Sequence, residues 1–120
     1  MRNKVGSTKK PPISIITDKA VKSFKKTCNF GKDSDEEARL KIERDYILGR
    51  VVSVSNKYTD GVCLIQYYDI FMKVHHTIVM EVFRNKKLAK TFNEKFGEFK
   101  KDFKQYNKFN RKHGFKEKFE

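Results

Sequence analysis

Tryptophan is absent from this chain, cysteine and proline occur twice each, and glycine only six times in 120 residues. These scarcities exclude several classes. Cys28 and Cys63 stand alone, outside any CxxC pair, so they build neither a disulfide framework nor a zinc ribbon. No apolar run approaches the ~20 residues of a membrane-crossing helix, and the N-terminal MRNKVGSTKKPP lacks the apolar stretch of a secretory leader. The expectation is a protein of the reducing cytoplasm, with both thiols free and no membrane contact.

Catalytic motifs are equally scarce. There is no glycine-rich phosphate loop and no patterned serine or cysteine nucleophile. His75 and His76 are adjacent, so within a strand they would point to opposite sides and could not share one metal. The triplet His75-His76-Thr77 matches one of the two HxT copies that a two-histidine phosphoesterase needs, and there is no second copy. Asp60 is accounted for by the Asp-Gly turn that contains it, and Asp69 by a strand end. No enzymatic activity, metal or cofactor is expected.

What the chain has in excess is lysine and phenylalanine. The net charge is +13, from 28 Lys+Arg against 15 Asp+Glu. Met1–Lys32 holds nine basic residues and one acid, and Arg84–Glu120 holds thirteen and five; between them lie six basic residues and nine acids. Both ends are therefore strongly basic and the middle slightly acidic, which suits a polyanionic partner held by the ends. Apolar content is only 38%, but eleven Phe and five Tyr supply the area for one modest core.

The chain divides into a basic tail over 1–12, one α+β domain over 13–113 and a C-terminal tail over 114–120. ISII at 13–16 reads as a short edge strand. Thr17 and Asp18 can cap a helix over 18–27, with Ala20, Val21 and Phe24 on one face. Ser34 with Glu37 three residues later is a capping box, and Asp35, Glu36 and Glu37 suit the first turn of a helix ending at Leu48 before Gly49. RVVSVSNK alternates as a strand; YTDG is a turn, and VCLIQYY returns as a second strand that ends at Tyr68 or continues to Met72. TIVMEVF is a third. The helix–turn–helix–hairpin order is that of a winged helix, but the acidic DSDEEAR opening of its recognition helix would face phosphates badly.

From Asn85 to about Lys112 the spacing predicts one long amphipathic helix. Leu88, Phe92, Phe96, Phe99, Phe103 and Tyr106 form a narrow stripe at period 3.6. Lys86, Lys90, Lys101, Lys104, Lys108 and Arg111 fall on a second side, and Glu94, Glu98 and Asp102 on a third. Gly97 lies inside, at a cost of about 1 kcal/mol relative to Ala. The expected fold is thus two short N-terminal helices, a small antiparallel meander of about three strands, and a long helix laying its rings on one face of the sheet or on the second helix. Val52, Val54, Leu64, Val79 and Phe83 would supply the opposite side of the core.

Two functions fit. The first is a small non-catalytic nucleic-acid-binding protein that touches DNA or RNA phosphates with little base specificity, through Lys86, Lys90, Lys101, Lys104, Lys108, Arg111 and the tail residues Lys9 and Lys10. The second is a protein-interaction module, a small regulator or inhibitor of the kind carried by viruses and mobile elements. It would dock Tyr106 and Phe109 on an acidic surface of a larger protein.

Overall fold

A computed structural model describes residues 13–27, 33–54 and 62–114. The tail over 1–12, with Lys9 and Lys10, the YTDG turn, Cys28 and residues 115–120 lie outside the described residues. The order of elements is β1 (Ile15–Ile16), α1 (Asp18–Thr27), α2 (Asp35–Leu48), β2 (Arg50–Val54), β3 (Val62–Tyr67), β4 (Ile70–His75), β5 (Ile78–Arg84), α3 (Lys86–Phe96) and α4 (Phe103–His113). The α+β class holds. The meander-plus-long-helix architecture does not: the sheet has five strands in the order β1-β5-β4-β3-β2, and the C-terminal segment is two helices.

The fourth antiparallel strand arises at two turns that lack glycine. Tyr67 pairs with Ile70 across Tyr68-Asp69, and His75 pairs with Ile78 across His76-Thr77. Tyr68 and His76 carry the positive φ (56° and 61°) that such tight turns require. A bulky residue in that region is uncommon, so the sequence carries no Asn-Gly or Asp-Gly signal there and β4 is merged with its neighbour. The second turn also stacks the imidazoles of His75 and His76 with centroids 4.5 Å apart, where an extended strand would have separated them.

β1 pairs parallel with β5, Ile15 opposite Ile78 and Ile16 opposite Val79. The chain then turns directly into α1, where the Thr17 hydroxyl accepts from the Ala20 amide (3.0 Å) and donates to the Val79 carbonyl (3.0 Å). α1 covers β5, and the Ser23 hydroxyl accepts from the Val82 amide, close to the register shift in β5. α2 forms with the full capping box between Ser34 and Glu37. Gly49 joins α2 to β2 where a Cβ would stand 2.7 Å from Ile65 Cγ2 and 2.8 Å from the Gln66 carbonyl, so no larger residue fits.

Two apolar layers sandwich the sheet. On one face α1 and α2 bury Ala20, Val21, Phe24, Ala38, Ile42 and Tyr46 against Ile65, Tyr67, Met72, Val74, Val79 and Val82. On the other, α3 lays Leu88, Ala89, Phe92 and Phe96 on Val52, Leu64, Phe71 and Phe83.

The expected long helix ends at Gly97, which adopts φ 94°, ψ 157°. The Arg50 guanidinium grips this break, donating to the Gly97 carbonyl (2.7 Å), to Asn93 Oδ1 (3.1 Å) and to Gln66 Oε1 (3.0 Å). The chain crosses the end of the sheet and restarts as α4 at Asp102, whose carboxylate accepts from the Gln105 amide (3.1 Å). The aromatic stripe is thereby split. Phe92 and Phe96 join the α3 layer, Phe99 joins the α1/α2 layer, and Phe103 is 55% exposed.

Gly97→Ala separates a continuous helix from this geometry by sign. Inside a helix the change would stabilise by about 1 kcal/mol. At φ 94°, with nothing within 4 Å of an added Cβ, the penalty is conformational, and we expect a loss of about 1–3 kcal/mol in urea denaturation.

Candidate nucleic-acid interface

α4 is set in place by a buried polar cluster. Arg44 and Asp45 project from α2, Asn110 and Tyr106 from α4, Tyr67 from β3 and Lys101 from the link before α4, and all six are buried. The Arg44 guanidinium donates from Nε to Asp45 Oδ1 (3.1 Å) and from Nη1 to Asn110 Oδ1 (3.0 Å), and lies 4.7 Å from the centre of the Tyr106 ring. The Lys101 ammonium sits 3.4 Å from the centre of the Tyr106 ring and donates to the Tyr67 hydroxyl (3.2 Å). Two cations thus hold one ring, contacts that gain strength where water is excluded.

Burial pushes the Asp45 carboxyl up to about 6, against the pull of Arg44 and Lys101. On Arg44 burial is again the largest influence and lowers its affinity for the proton, but Asp45 and Tyr106 more than offset it. Burial pushes the Tyr67 phenol up as well, with Asp45 adding to the effect, so it stays a neutral hydroxyl. Cys63, buried and also pushed up by burial, is no poised nucleophile.

The expected lysine stripe is redistributed. Lys101 leaves it altogether: only 6% exposed, it serves the cluster and cannot meet a phosphate. Lys86 and Lys90 are exposed on α3, but they line a depression with Asp69, Glu94 and Glu98, so their field is mixed. Lys104, Lys108 and Arg111 are exposed on α4, across the sheet from α3. At about 100° per residue these three fall within about 60° of arc, flanked by exposed Asn107 and Lys112. No acid occurs between Phe103 and His113. The basic last turn, Arg111 to His113, also complements the helix dipole, and Gly114 closes the helix in the left-handed conformation.

The expected partner contacts fare differently from each other. Tyr106 is 1% exposed and belongs to the core. Phe109 is half-buried, its ring against His113 (4.4 Å), on a groove between α2 and α4 that Ile47, Leu48, Lys108 and Lys112 also line. Sequence reasoning missed the roles of Arg44, Asp45 and Asn110. An acid followed three residues later by a glutamine, Asp102 to Gln105, was the available signal that a helix starts there. Among the described residues no group of three or more His, Cys, Asp or Glu could hold a metal ion, and no helix is long and apolar enough to cross a membrane.

The Asp45 carboxyl generates a pH-dependent prediction. Its folded-state pKa of about 6 lies above the unfolded value near 3.8, so the native state holds the proton more tightly. This group's contribution is therefore fully present below about pH 4 and lost as pH rises through about 6. Relative to Asp45→Asn, the parent should lose stability between pH 4 and 7, by on the order of 3 kcal/mol. Parallel urea midpoints for the two proteins across that range would contradict it. No family model matches this chain, and neither a curated protein nor a solved structure matches it.

Proposed function

We propose that this protein binds nucleic acid without catalysis, through phosphate contacts made by the outward face of α4. The observation that supports this reading is the acid-free arc of Lys104, Lys108 and Arg111, all exposed on a helix whose inward face is locked by Arg44 and Asn110. Spacing such charges on one rigid helix presents them together to a phosphate backbone, at no ordering cost to the helix. Lysines dominate, and an ammonium is a point charge rather than a planar reader of base edges, so low sequence specificity goes with this set. Lys86, Lys90, Lys9 and Lys10 add to the overall attraction of the chain for a polyanion.

A second reading is favoured by the groove between α2 and α4. Its apolar walls, Ile47, Leu48 and Phe109, lie beside Lys108 and Lys112, which suits an acidic, amphipathic protein segment with one apolar anchor. Tyr106 takes no part in it.

Salt dependence tests the first reading. The logarithmic slope of affinity against salt is about −0.9 per phosphate contacted on duplex DNA and about −0.7 on single strands. Replacing Lys104, Lys108 and Arg111 together by Gln should flatten the slope by about 2–3. Stability should change within about 0.5 kcal/mol per site, because the side chains are exposed. The pair Lys86→Gln and Lys90→Gln should flatten it less. A parent protein that binds neither DNA nor RNA at low salt would leave the docking reading in first place.

A further inference from the structure

Four large apolar residues are exposed among those described: Ile15, Ile47, Tyr68 and Phe103. The two aromatic ones flank a single group. The Lys101 ammonium lies 5.8 Å from the Tyr68 ring centre and 5.1 Å from that of Phe103. These rings come from distant parts of the chain, the β3–β4 turn and the first residue of α4, and the Lys101 ammonium lies within 6 Å of both. Neither is needed to fill the core, since Tyr68 is 39% and Phe103 55% exposed.

Tyr68 holds this place at a cost. Its φ of 56° is a conformation in which Asn or Gly would sit with less strain in a two-residue turn. The ring is nonetheless kept at the surface, held by T-shaped contacts to Tyr67 (5.1 Å) and Phe99 (4.8 Å). The turn imposes that conformation on whichever residue stands there, so what Tyr68 adds over Asn or Gly is the ring itself. Phe103 borders the basic arc: Asn107, one turn further along α4, stands between it and Arg111. Exposed Lys100 and Lys104 lie on either side of it in the chain.

We infer that Tyr68 and Phe103 form a two-ring stacking platform for unpaired bases, which makes the ligand of the α4 face single-stranded nucleic acid. This inference rests on the phosphate-binding reading of α4 and deepens it. Rings beside a cationic helix can take the faces of splayed bases while the backbone follows the lysines. Duplex bases, stacked on each other, cannot reach them. Every base offers a face, so the platform adds strand selectivity without sequence selectivity.

The chain has no tryptophan, so Phe103→Trp installs a single reporter at the platform. Its fluorescence should be quenched by short oligo(dT) and oligo(U) and left unchanged by a duplex of equal length. The two single-stranded arms tell whether the ribose 2′-hydroxyl matters. Phe103→Ala, and separately Tyr68→Asn, which suits the positive φ, should each weaken single-strand binding about 5- to 150-fold, the equivalent of about 1–3 kcal/mol per stacked base. Duplex affinity, the salt slope and the far-ultraviolet circular dichroism should stay those of the parent. An unquenched tryptophan on a protein that anisotropy shows to be saturated with oligonucleotide would overturn the platform and leave the phosphate reading standing. Equal losses on single strands and duplex would also overturn it. Absence of binding to all three nucleic acids by the parent would bring down both readings.

Discussion

The hydrogen bond from Arg50 to the carbonyl of Gly97, 2.7 Å long, is the contact on which the C-terminal half of this molecule turns. Arg50 also reaches Asn93 and Gln66, and the Gln66 amide in turn donates to Asn93 Oδ1 (3.0 Å) and the Tyr68 carbonyl (2.9 Å). One guanidinium and one fully buried amide thus tie β2, β3, the β3–β4 turn and the end of α3 into a single polar hub. The hub holds the chain in a conformation open to glycine, and only two residues, Gly97 and Glu98, separate Phe96 on one side of the sheet from Phe99 on the other. Without the break, the rings would run along one helix face and the lysines along another.

A second polar group then sets the rotation of α4. Arg44, buried with Asp45, would be costly alone, because a desolvated ion pair recovers its hydration only when its remaining hydrogen bonds are made. Here Asn110 accepts one of them, and the Tyr106 ring lies against both Arg44 and Lys101. These directional contacts favour one orientation of the helix over the many that an apolar contact alone would allow. The orientation that satisfies them turns Lys104, Lys108 and Arg111 outward.

Lysines and aromatics each divide into two populations by the same geometry. Lys101 is a structural cation among rings, whereas its neighbours on α4 remain hydrated charges. Phe99 and Tyr106 fill the core, whereas Phe103, at the same helical period, begins a new helix and is left at the surface beside Tyr68. Residue type and spacing do not distinguish members of these pairs. The distinction comes from which side of the sheet the chain reaches after Gly97.

Local physics made much of the fold legible. The capping box at Ser34 and Glu37, the apolar spacing of Ala20, Val21 and Phe24, and the alternation of β2 and β3 are signals contained within a few residues, and α1 and α2 appear with the limits those signals set. The strand β4 was not legible, because its turns rest on Tyr68 and His76, residues whose positive φ only the surrounding sheet enforces. The break at Gly97 and restart at Asp102 were written as a glycine and an Asp-x-x-Gln cap, but the 3.6-residue period ran unbroken across them and read as one helix. The sequence by itself determined the α+β class, the basic ends, the N-terminal helices and the surplus of rings and lysines. Only the tertiary structure decided which lysine is buried, which rings are exposed and where the basic arc points. Those outcomes depend on contacts between residues as far apart as Arg44 and Asn110, and no local pattern encodes them.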